Sequence, residues 1–220
     1  MKKAFILACI AIAVLFSYPI LADQTQIPNY QTAKQLFWGE IYPYGSWTLY
    51  CGKRFADRSE TEDGMPLSIE HVYARSWMRD HLECGNHDQC QDTSERYRLM
   101  ESDLHNMYAA LRNVNSSRGD APYGIIAGEN WRYDYCDYER AGGIAEPRPI
   151  ARGNIARSIF YMHVEYGLPV DSDLASLLKQ WNRDDPPSCH EMRRNNWIEE
   201  VQGTRNPFID HPKKIEDLQS

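Results

Sequence analysis

The sequence predicts one α+β domain that contains more helix than sheet. Its 220 residues fit a single domain, or at most two small ones. Hydrophobic residues make up 42% of the chain and charged residues 25%, which excludes collagen, a coiled coil and wholesale disorder. Helical periodicity dominates the C-terminal third, whereas residues 36–75 combine aromatic and β-forming side chains with turn signals.

The N-terminus has the pattern of an export signal. Two lysines precede an unbroken apolar run from Ala4 to Phe16, and Ala22 offers a cleavage site. A membrane span needs about 20 apolar residues, so this run is too short to cross a bilayer. An uncleaved membrane anchor is the alternative. We therefore expect a signal peptide over 1–22 and an exported domain over 23–220, periplasmic or secreted and without a membrane segment.

The cysteines that remain after signal removal are odd in number. In an oxidising compartment we expect two disulfides and one free thiol. Cys84 and Cys90 bracket a short polar loop and are the preferred pair. A zinc site is the alternative, but the chain has no C-x-x-C pair. The pairing among the other three is left open; they are Cys51, Cys136 and Cys189.

The N-terminal part of the mature chain is predicted to form short strands. Residues 23–35 are polar and form either a loose lead-in or a first helix. Strands are expected around Trp47–Cys51 and Ser68–Val72, with turn signals at Pro43–Gly45 and Asp63–Gly64.

The middle of the chain changes from loop to helix. Residues Asp80–Thr93 are polar and are predicted to be a loop, and a helix is predicted from about Ser94 to His105. A longer helix ends at Gly167. Its apolar positions recur at helical spacing: Ile155, Ile159, Met162 and Tyr166.

Two further helices are predicted near the C-terminus. The first spans Asp173–Trp181 and is stopped by two prolines. Ser188 and Glu191 have the spacing of a capping box, in which each side chain binds the other residue's backbone N–H. The helix that they start should end at Gly203, and the tail from His211 to Ser220 is predicted to be mobile.

Polar groups that suit phosphodiester chemistry are concentrated in three stretches, around Glu70-His71, over Glu101–Asn106 and around Asn115. Glu70 and Asn115 supply hard oxygen ligands, which suit Mg²⁺ or Ca²⁺ better than zinc. Such an ion can polarise a phosphodiester, and a neutral His71 can take a proton from water. A Glu-His dipeptide is common, however. The alternative for Asp103 and His105 is that they satisfy a buried helix end.

Four motifs, in order, resemble the bacterial endonuclease I family. The family comprises exported, sugar-nonspecific nucleases with a ββα-metal active site. The resemblance spans about residues 67–210 and implies a mostly helical domain with a small antiparallel sheet and that ββα motif. The matching segments are Ile69-Glu70-His71-Val72, Met100–Asn106, Asn115-x-x-Arg118-Gly119 and Gln202-Gly203-x-Arg205-Asn206-Pro207-Phe208.

The resemblance implies a role for each matching position. His71 is the general base that activates water. Glu70 and Asn115 hold a single divalent ion, Mg²⁺, with Ca²⁺ and Mn²⁺ as alternatives. Glu101 is a supporting active-site carboxylate. The implied enzyme is a monomer that hydrolyses DNA and RNA without sequence specificity.

The net charge of −7, which becomes −9 once Lys2 and Lys3 leave with the signal, does not by itself favour a nucleic-acid partner. The motifs reverse that inference, because a nuclease requires only a local positive field. Arg118 is the first candidate for gripping the scissile phosphate, since its planar fork suits phosphate oxygens. Salt bridges and solvated helix faces are the alternative for each candidate. The others are Arg112, His105, Arg152 and Arg205, and then Arg148, Arg157, Arg193 and Arg194.

Two departures from the family pattern motivate other functions. Ala74 stands where the family often has proline, and the loop between Cys84 and Cys90 lacks the arginine that contacts the cleaved phosphate. An exported nucleic-acid-binding protein with weakened catalysis is one alternative. A phosphodiesterase acting on smaller substrates is the other.

Overall fold

The computed structural model describes residues 24–218, and it confirms a single α+β domain. The predicted signal peptide over 1–22 lies outside these residues. Every sheet within them is a two-stranded antiparallel pair. No helix in this range is both long enough and apolar enough to cross a membrane.

A helix forms within the stretch for which the sequence left a loose lead-in or a first helix open. Helix α1 (Tyr30–Leu36) is N-capped by the Asn29 side chain and continues into a π-helical turn at Phe37–Ile41. Strand β1 (Ser46–Trp47) then pairs with β2 (Arg54–Phe55). The first strand is therefore shorter than its aromatic composition predicts.

A strand–strand–helix unit forms the centre of the domain. Strand β3 (Leu67–His71) pairs with β4 (Met107–Leu111), and helix α5 (Arg112–Arg118) follows β4 directly. The strand predicted near Ser68–Val72 is confirmed, whereas β4 was missed. Every residue of β4 is buried, so its sequence lacks the alternation that marks a half-exposed strand.

Three helices fill the connection between β3 and β4. They are α2 (Arg75–Leu82), α3 (His87–Thr93) and α4 (Glu95–Glu101), and a 3₁₀ turn at Leu104–Asn106 leads into β4. The predicted loop over Asp80–Thr93 is therefore wrong.

Local capping explains why this polar stretch is helical. Asn86 and Gln89 form a complete capping box at the start of α3. The Cys84–Cys90 disulfide predicted from the sequence joins the linker before α3 to the helix itself. These local constraints offset the low hydrophobicity on which the loop prediction depended.

A second hairpin precedes the long helix. Strands β5 (Tyr138–Ala141) and β6 (Ile144–Pro147) are joined by Gly142-Gly143, both at positive φ. Such a two-residue turn favours Gly-Gly, a signal that the sequence carries. The Cys51–Cys136 disulfide joins the segment before this hairpin to the region around β1. Cys189 is free and exposed.

The C-terminal third is helical, as predicted. Gly167 and Gly203 end two of its helices in the left-handed conformation. The elements are α6 (Pro149–Tyr166), α7 (Ser172–Asp184), α8 (Cys189–Gln202), α9 (Pro207–Asp210) and a 3₁₀ helix at Pro212–Asp217.

Two C-terminal predictions require correction. Ser188 caps α8, but Glu191 does not complete a capping box, because both its carboxylate oxygens accept hydrogen bonds from the buried Arg157 at 2.6 Å. The tail is not free either. Its 3₁₀ helix, Pro212–Asp217, packs on the domain through the fully buried Ile215.

Gly153 is needed where α6 meets the end of α7. Its N–H donates to Asp185 Oδ2 at 2.8 Å, and a Cβ at this position would collide with the Asp185 carbonyl oxygen. We expect Gly153→Ala to lower the free energy of unfolding by about 1–3 kcal/mol. Chemical denaturation measures this loss. Gly39→Ala is the matched control, because its Cβ meets no atom within 4 Å. Equal stability of the two variants would contradict the prediction.

Candidate active site

A cavity of about 390 Å³ lies beside the end of β3. Glu70 and His71 line it from β3, and Asn115 lines it from α5. The strand pairing and the helix that follows thus bring Asn115 next to the adjacent pair Glu70-His71, from which it lies far away in the sequence. These three residues are the predicted general base and the two predicted metal ligands.

His71 is held as a neutral base. Its Nε2 lies 2.8 Å from the backbone oxygen of Glu101. A carbonyl oxygen only accepts hydrogen bonds, so Nε2 carries the proton and Nδ1 carries the lone pair. Burial, and then the charge of Arg75, lowers the pKa of His71 to about 3. The ring is therefore uncharged at neutral pH, with one basic nitrogen.

Glu70 is fixed through one of its two oxygens. Oε1 accepts a hydrogen bond from the Tyr50 hydroxyl at 2.7 Å and another from Arg118 Nη1 at 2.9 Å. Burial raises the pKa of this carboxyl group, and the neighbouring guanidinium opposes that effect. Since both contacts use Oε1, Oε2 is the oxygen that remains for a ligand in the cavity.

Asn115 is oriented by its amide group. Nδ2 donates to Ser68 Oγ at 3.0 Å and to the backbone oxygen of Ile69 at 2.9 Å. Both amide hydrogens are then used by β3, and the carbonyl oxygen Oδ1 is the free group. A carbonyl oxygen is a suitable ligand for a hard divalent cation.

Glu101 supports the site without lining the cavity. Its backbone oxygen orients His71, and its buried carboxylate accepts a hydrogen bond from Arg75 Nη1 at 2.9 Å. Gln91 of α3 also donates to this carboxylate. Glu101 is therefore placed as a positioning residue, which links α3 and α4 to the general base.

Arg118 does not occupy the position that its predicted role requires. The residue is only 1% exposed. Its guanidinium donates to Glu70 Oε1 and to the carbonyl oxygen of His71, both at 2.9 Å, and to that of Val72 at 2.8 Å. A buried group with these partners cannot grip a phosphate from solvent. In the structure Arg118 instead fixes the position of Glu70, the predicted metal ligand.

Two other predicted nucleic-acid contacts are structural. His105 is buried, its Nε2 hydrogen-bonds to the carbonyl oxygen of Thr204 at 3.0 Å, and its ring packs against Tyr161. This is the alternative in which His105 satisfies a buried helix end. Arg152 forms an ion pair with Glu146 at 2.6 Å. Both side chains are committed to interactions within the domain.

Arg205 and Arg112 differ in their availability. Arg205 forms ion pairs with Glu199 and Asp210, so the salt-bridge alternative fits it. Arg112 is exposed at the start of α5 and forms no side-chain hydrogen bond or ion pair with residues 24–218. Arg112 therefore remains a candidate for nucleic-acid contact.

Arg75 and Arg79 are the cations that sequence reasoning missed. Both line the catalytic cavity from α2, and their spacing of four residues puts them on one helix face. The available signal was a pair of arginines at helical spacing directly after the Glu-His motif.

The cavity has a donor set that suits one hard cation. Glu70 offers a carboxylate oxygen and Asn115 an amide oxygen. Residues 24–218 contain no cluster of three or more His, Cys, Asp or Glu side chains arranged to hold a metal. Two oxygen ligands fit an ion such as Mg²⁺, which keeps several waters, and they do not fit a zinc site.

Comparisons with known proteins identify the family of this chain. The endonuclease I family profile matches residues 24–213. An extracellular deoxyribonuclease of Aeromonas hydrophila is 30% identical over 93% of this chain and 96% of its own length. A periplasmic deoxyribonuclease of the same species is 28% identical over 93% and 94%. An extracellular ribonuclease of Bacillus amyloliquefaciens is 32% identical over 64% of this chain and 53% of its own. The chain belongs to the endonuclease I family.

Proposed function

We propose that this protein is an exported endonuclease that hydrolyses phosphodiester bonds of DNA and RNA without sequence specificity. The relatives include both deoxyribonucleases and a ribonuclease, found outside the cell or in the periplasm. The observation that carries the mechanism is the orientation of His71. Its protonated Nε2 is held by the Glu101 carbonyl, so the basic Nδ1 is available in a cavity shared with Glu70 and Asn115.

In this mechanism His71 Nδ1 accepts a proton from the attacking water. The low pKa of His71 reflects burial and the nearby charge of Arg75. A bound phosphate brings negative charge next to the ring and makes the protonated form less unfavourable. The hydrogen bond to Glu101 keeps the ring fixed while Nδ1 gains its proton.

Glu70 Oε2 and Asn115 Oδ1 would hold one Mg²⁺, with Ca²⁺ or Mn²⁺ as alternatives. When bound, such an ion polarises the phosphodiester and stabilises the leaving alkoxide. The fixed Oε1 contacts of Glu70 keep its other oxygen available. The two amide hydrogen bonds of Asn115 do the same for its carbonyl.

In this proposal Arg75 and Arg79 contact the scissile phosphate, the role that the sequence analysis predicted for Arg118. Arg75 keeps 42% of its side chain exposed although it pairs with Glu101. Both arginines line the cavity next to the general base. Contacts to phosphate carry no base information, which agrees with cleavage at any sequence.

Metal removal tests the proposal directly. We expect cleavage of plasmid DNA and of RNA to fall by about a hundredfold or more in EDTA and to return with excess Mg²⁺, because the ion supplies several kcal/mol of charge stabilisation. Glu70→Gln should raise the Mg²⁺ concentration needed, whereas the exposed Glu199→Gln should not. Unchanged cleavage in EDTA would contradict the metal site. Nucleic-acid binding without cleavage would favour an exported nucleic-acid-binding protein with weakened catalysis. Faster turnover of a model diester than of DNA or RNA would favour a phosphodiesterase that acts on smaller substrates.

A further inference from the structure

A second, larger concavity is lined by aromatic and apolar side chains. Its volume of about 790 Å³ is within the range of ligand pockets. We call it the aromatic groove. It is bounded by the turn that follows α1, by β1, and by the facing sides of α6 and α8. Its aromatic and large apolar lining residues include Tyr42, Tyr44, Trp47, Tyr108, Ile150 and Trp197.

The rim of this groove presents large apolar groups to solvent. Tyr44 is 91% exposed and Trp47 is 47% exposed. Gly45, at φ +76°, places its Cα against the Phe55 backbone, where a Cβ would collide with the carbonyl oxygen. The backbone turn that carries Tyr44 therefore packs closely against Phe55. Tyrosine and tryptophan side chains have few rotatable bonds, so they lose little entropy when a flat ligand stacks on them.

Three arginines line the groove without a carboxylate partner in the described chain: Arg148, Arg193 and Arg194. Arg148 donates to the carbonyl oxygens of Thr48 and Leu49, which leave its charge in place. Arg193 is exposed and has no hydrogen bond or ion pair with residues 24–218.

Arg194 lies at the base of the groove and is 5% exposed. It donates to the carbonyl oxygens of Leu104 and Met107, and its guanidinium stacks on the Tyr108 ring at 4.1 Å. Its Nη1 is buried without a hydrogen-bond partner in the described chain. The guanidinium therefore places a positive charge beneath the groove, which favours an anionic ligand there.

Two acids line the groove. Glu191 is paired with Arg157 through both oxygens, whereas Asp185 accepts the Gly153 N–H, keeps its negative charge and interacts with the charge of Arg148. Because three arginines line the groove and only Asp185 opposes them there among the described residues, the groove is locally positive in a chain whose net charge is −7. Flat apolar surfaces with unneutralised cations match a ligand that carries both bases and phosphates.

We propose that the aromatic groove is an accessory site for a single-stranded segment of nucleic acid. Unpaired bases stack on Trp47 and Tyr44, phosphates bind the exposed Arg193, and the buried Arg194 contributes its positive charge from the base of the groove. A duplex cannot offer base faces to these rings, so the groove discriminates strandedness rather than sequence. This inference rests on the proposed function in taking nucleic acid as the substrate.

The groove is distinct from the catalytic cavity. Thr48 and Leu49 line the groove, whereas the next residue, Tyr50, hydrogen-bonds to Glu70 in the catalytic site. Tyr108 of β4 also lines the groove, and its register partner on β3, Glu70, lines the catalytic cavity. No described residue lines both sites, so the groove can hold a substrate strand without entering the reaction.

Binding to a cleavage-deficient protein tests the proposal. In a His71→Ala background, a fluorescein-labelled oligothymidylate of about 12 nucleotides is titrated by anisotropy against a duplex of equal length. We expect Trp47→Ala to weaken single-strand binding by about fivefold or more, the effect of losing one stacked base. The control Trp131→Ala removes an equally exposed indole, 45% against 47%, that does not line the groove. It should change binding less than about twofold.

A charge reversal supplies a second variant that should fold normally. Arg193→Glu should weaken single-strand binding and reduce its salt dependence, whereas Arg58→Glu, also at an exposed arginine, should do neither. With His71 intact, Trp47→Ala should raise KM for single-stranded substrate and leave hydrolysis of bis(p-nitrophenyl) phosphate unchanged.

The outcomes separate this inference from the proposed function. If Trp47→Ala and Arg193→Glu bind the oligonucleotide as the parent does, the groove proposal is wrong, even when the wild type cleaves DNA normally. If these variants lose binding while the wild type cleaves no phosphodiester, the groove stands and the nuclease proposal fails. If Trp131→Ala weakened single-strand binding as much as Trp47→Ala does, the groove proposal would also be wrong.

Discussion

Replacing His71 with alanine should lower the rate of plasmid cleavage by about two to four orders of magnitude, the range expected for loss of a general base. The substitution removes the ring nitrogen that accepts the proton of water in the proposed mechanism. His71→Gln is the sharper variant. Its amide nitrogen, like Nε2 of histidine, lies two bonds beyond Cγ and can still donate to the Glu101 carbonyl, but it is not basic, so this variant should be as inactive as alanine.

The measurement is single-turnover cleavage at saturating Mg²⁺, with thermal unfolding of each variant as the check on folding. His81→Ala is the matched control, because this histidine is exposed on α2 and does not line the catalytic cavity. It should retain wild-type activity. Full cleavage by His71→Ala would refute the mechanism. Activity in His71→Gln but not in His71→Ala would show that His71 positions its neighbours and does not accept the proton of water.

Arg118→Met should have the largest effect on stability. The substitution leaves the Glu70 carboxylate buried without its cation and removes the donor from two backbone carbonyls. The guanidinium also lies over the rings of Trp77 and Tyr123, at 5.0 and 4.6 Å from their centroids. Breaking a buried pair on one side costs about 3–5 kcal/mol.

For a chain of this length that loss corresponds to a melting temperature lower by about 6–20 °C. Arg112→Met is the control, since this exposed arginine should change stability by less than about 0.5 kcal/mol. Arg118→Lys should recover little, because a single ammonium cannot bind three acceptors in one plane. A stable Arg118→Met protein with weakened substrate binding would restore the phosphate-gripping role that the sequence suggested.

The contrast between His71 and Arg118 shows which parts of the site were predictable. Glu70, His71 and Asn115 lie in short local motifs, and the chemistry of their side chains suits one reaction. Arg118 lies in such a motif too, but its role depends on whether it is buried. That is decided by the packing of Trp77 and Tyr123 over the guanidinium, which no local pattern encodes.

The fold was predictable to a similar degree. Gly167 and Gly203 mark helix ends through backbone conformation, a property of single residues, and both predictions are confirmed. Strand β4 was missed because it is buried on both faces, so its burial arises from the rest of the domain. The role of Glu191 also depends on the rest of the domain, because its partner Arg157 lies 34 residues away in the chain.

The Cys51–Cys136 disulfide has a consequence for the effect of proteolysis on this protein. It joins residues 85 positions apart, and the closed loop contains Glu70, His71, Glu101 and Asn115. A protease that cuts one peptide bond inside this loop opens the ring but releases no fragment. All four residues stay in one covalently joined molecule, so a nicked enzyme can retain a complete catalytic site.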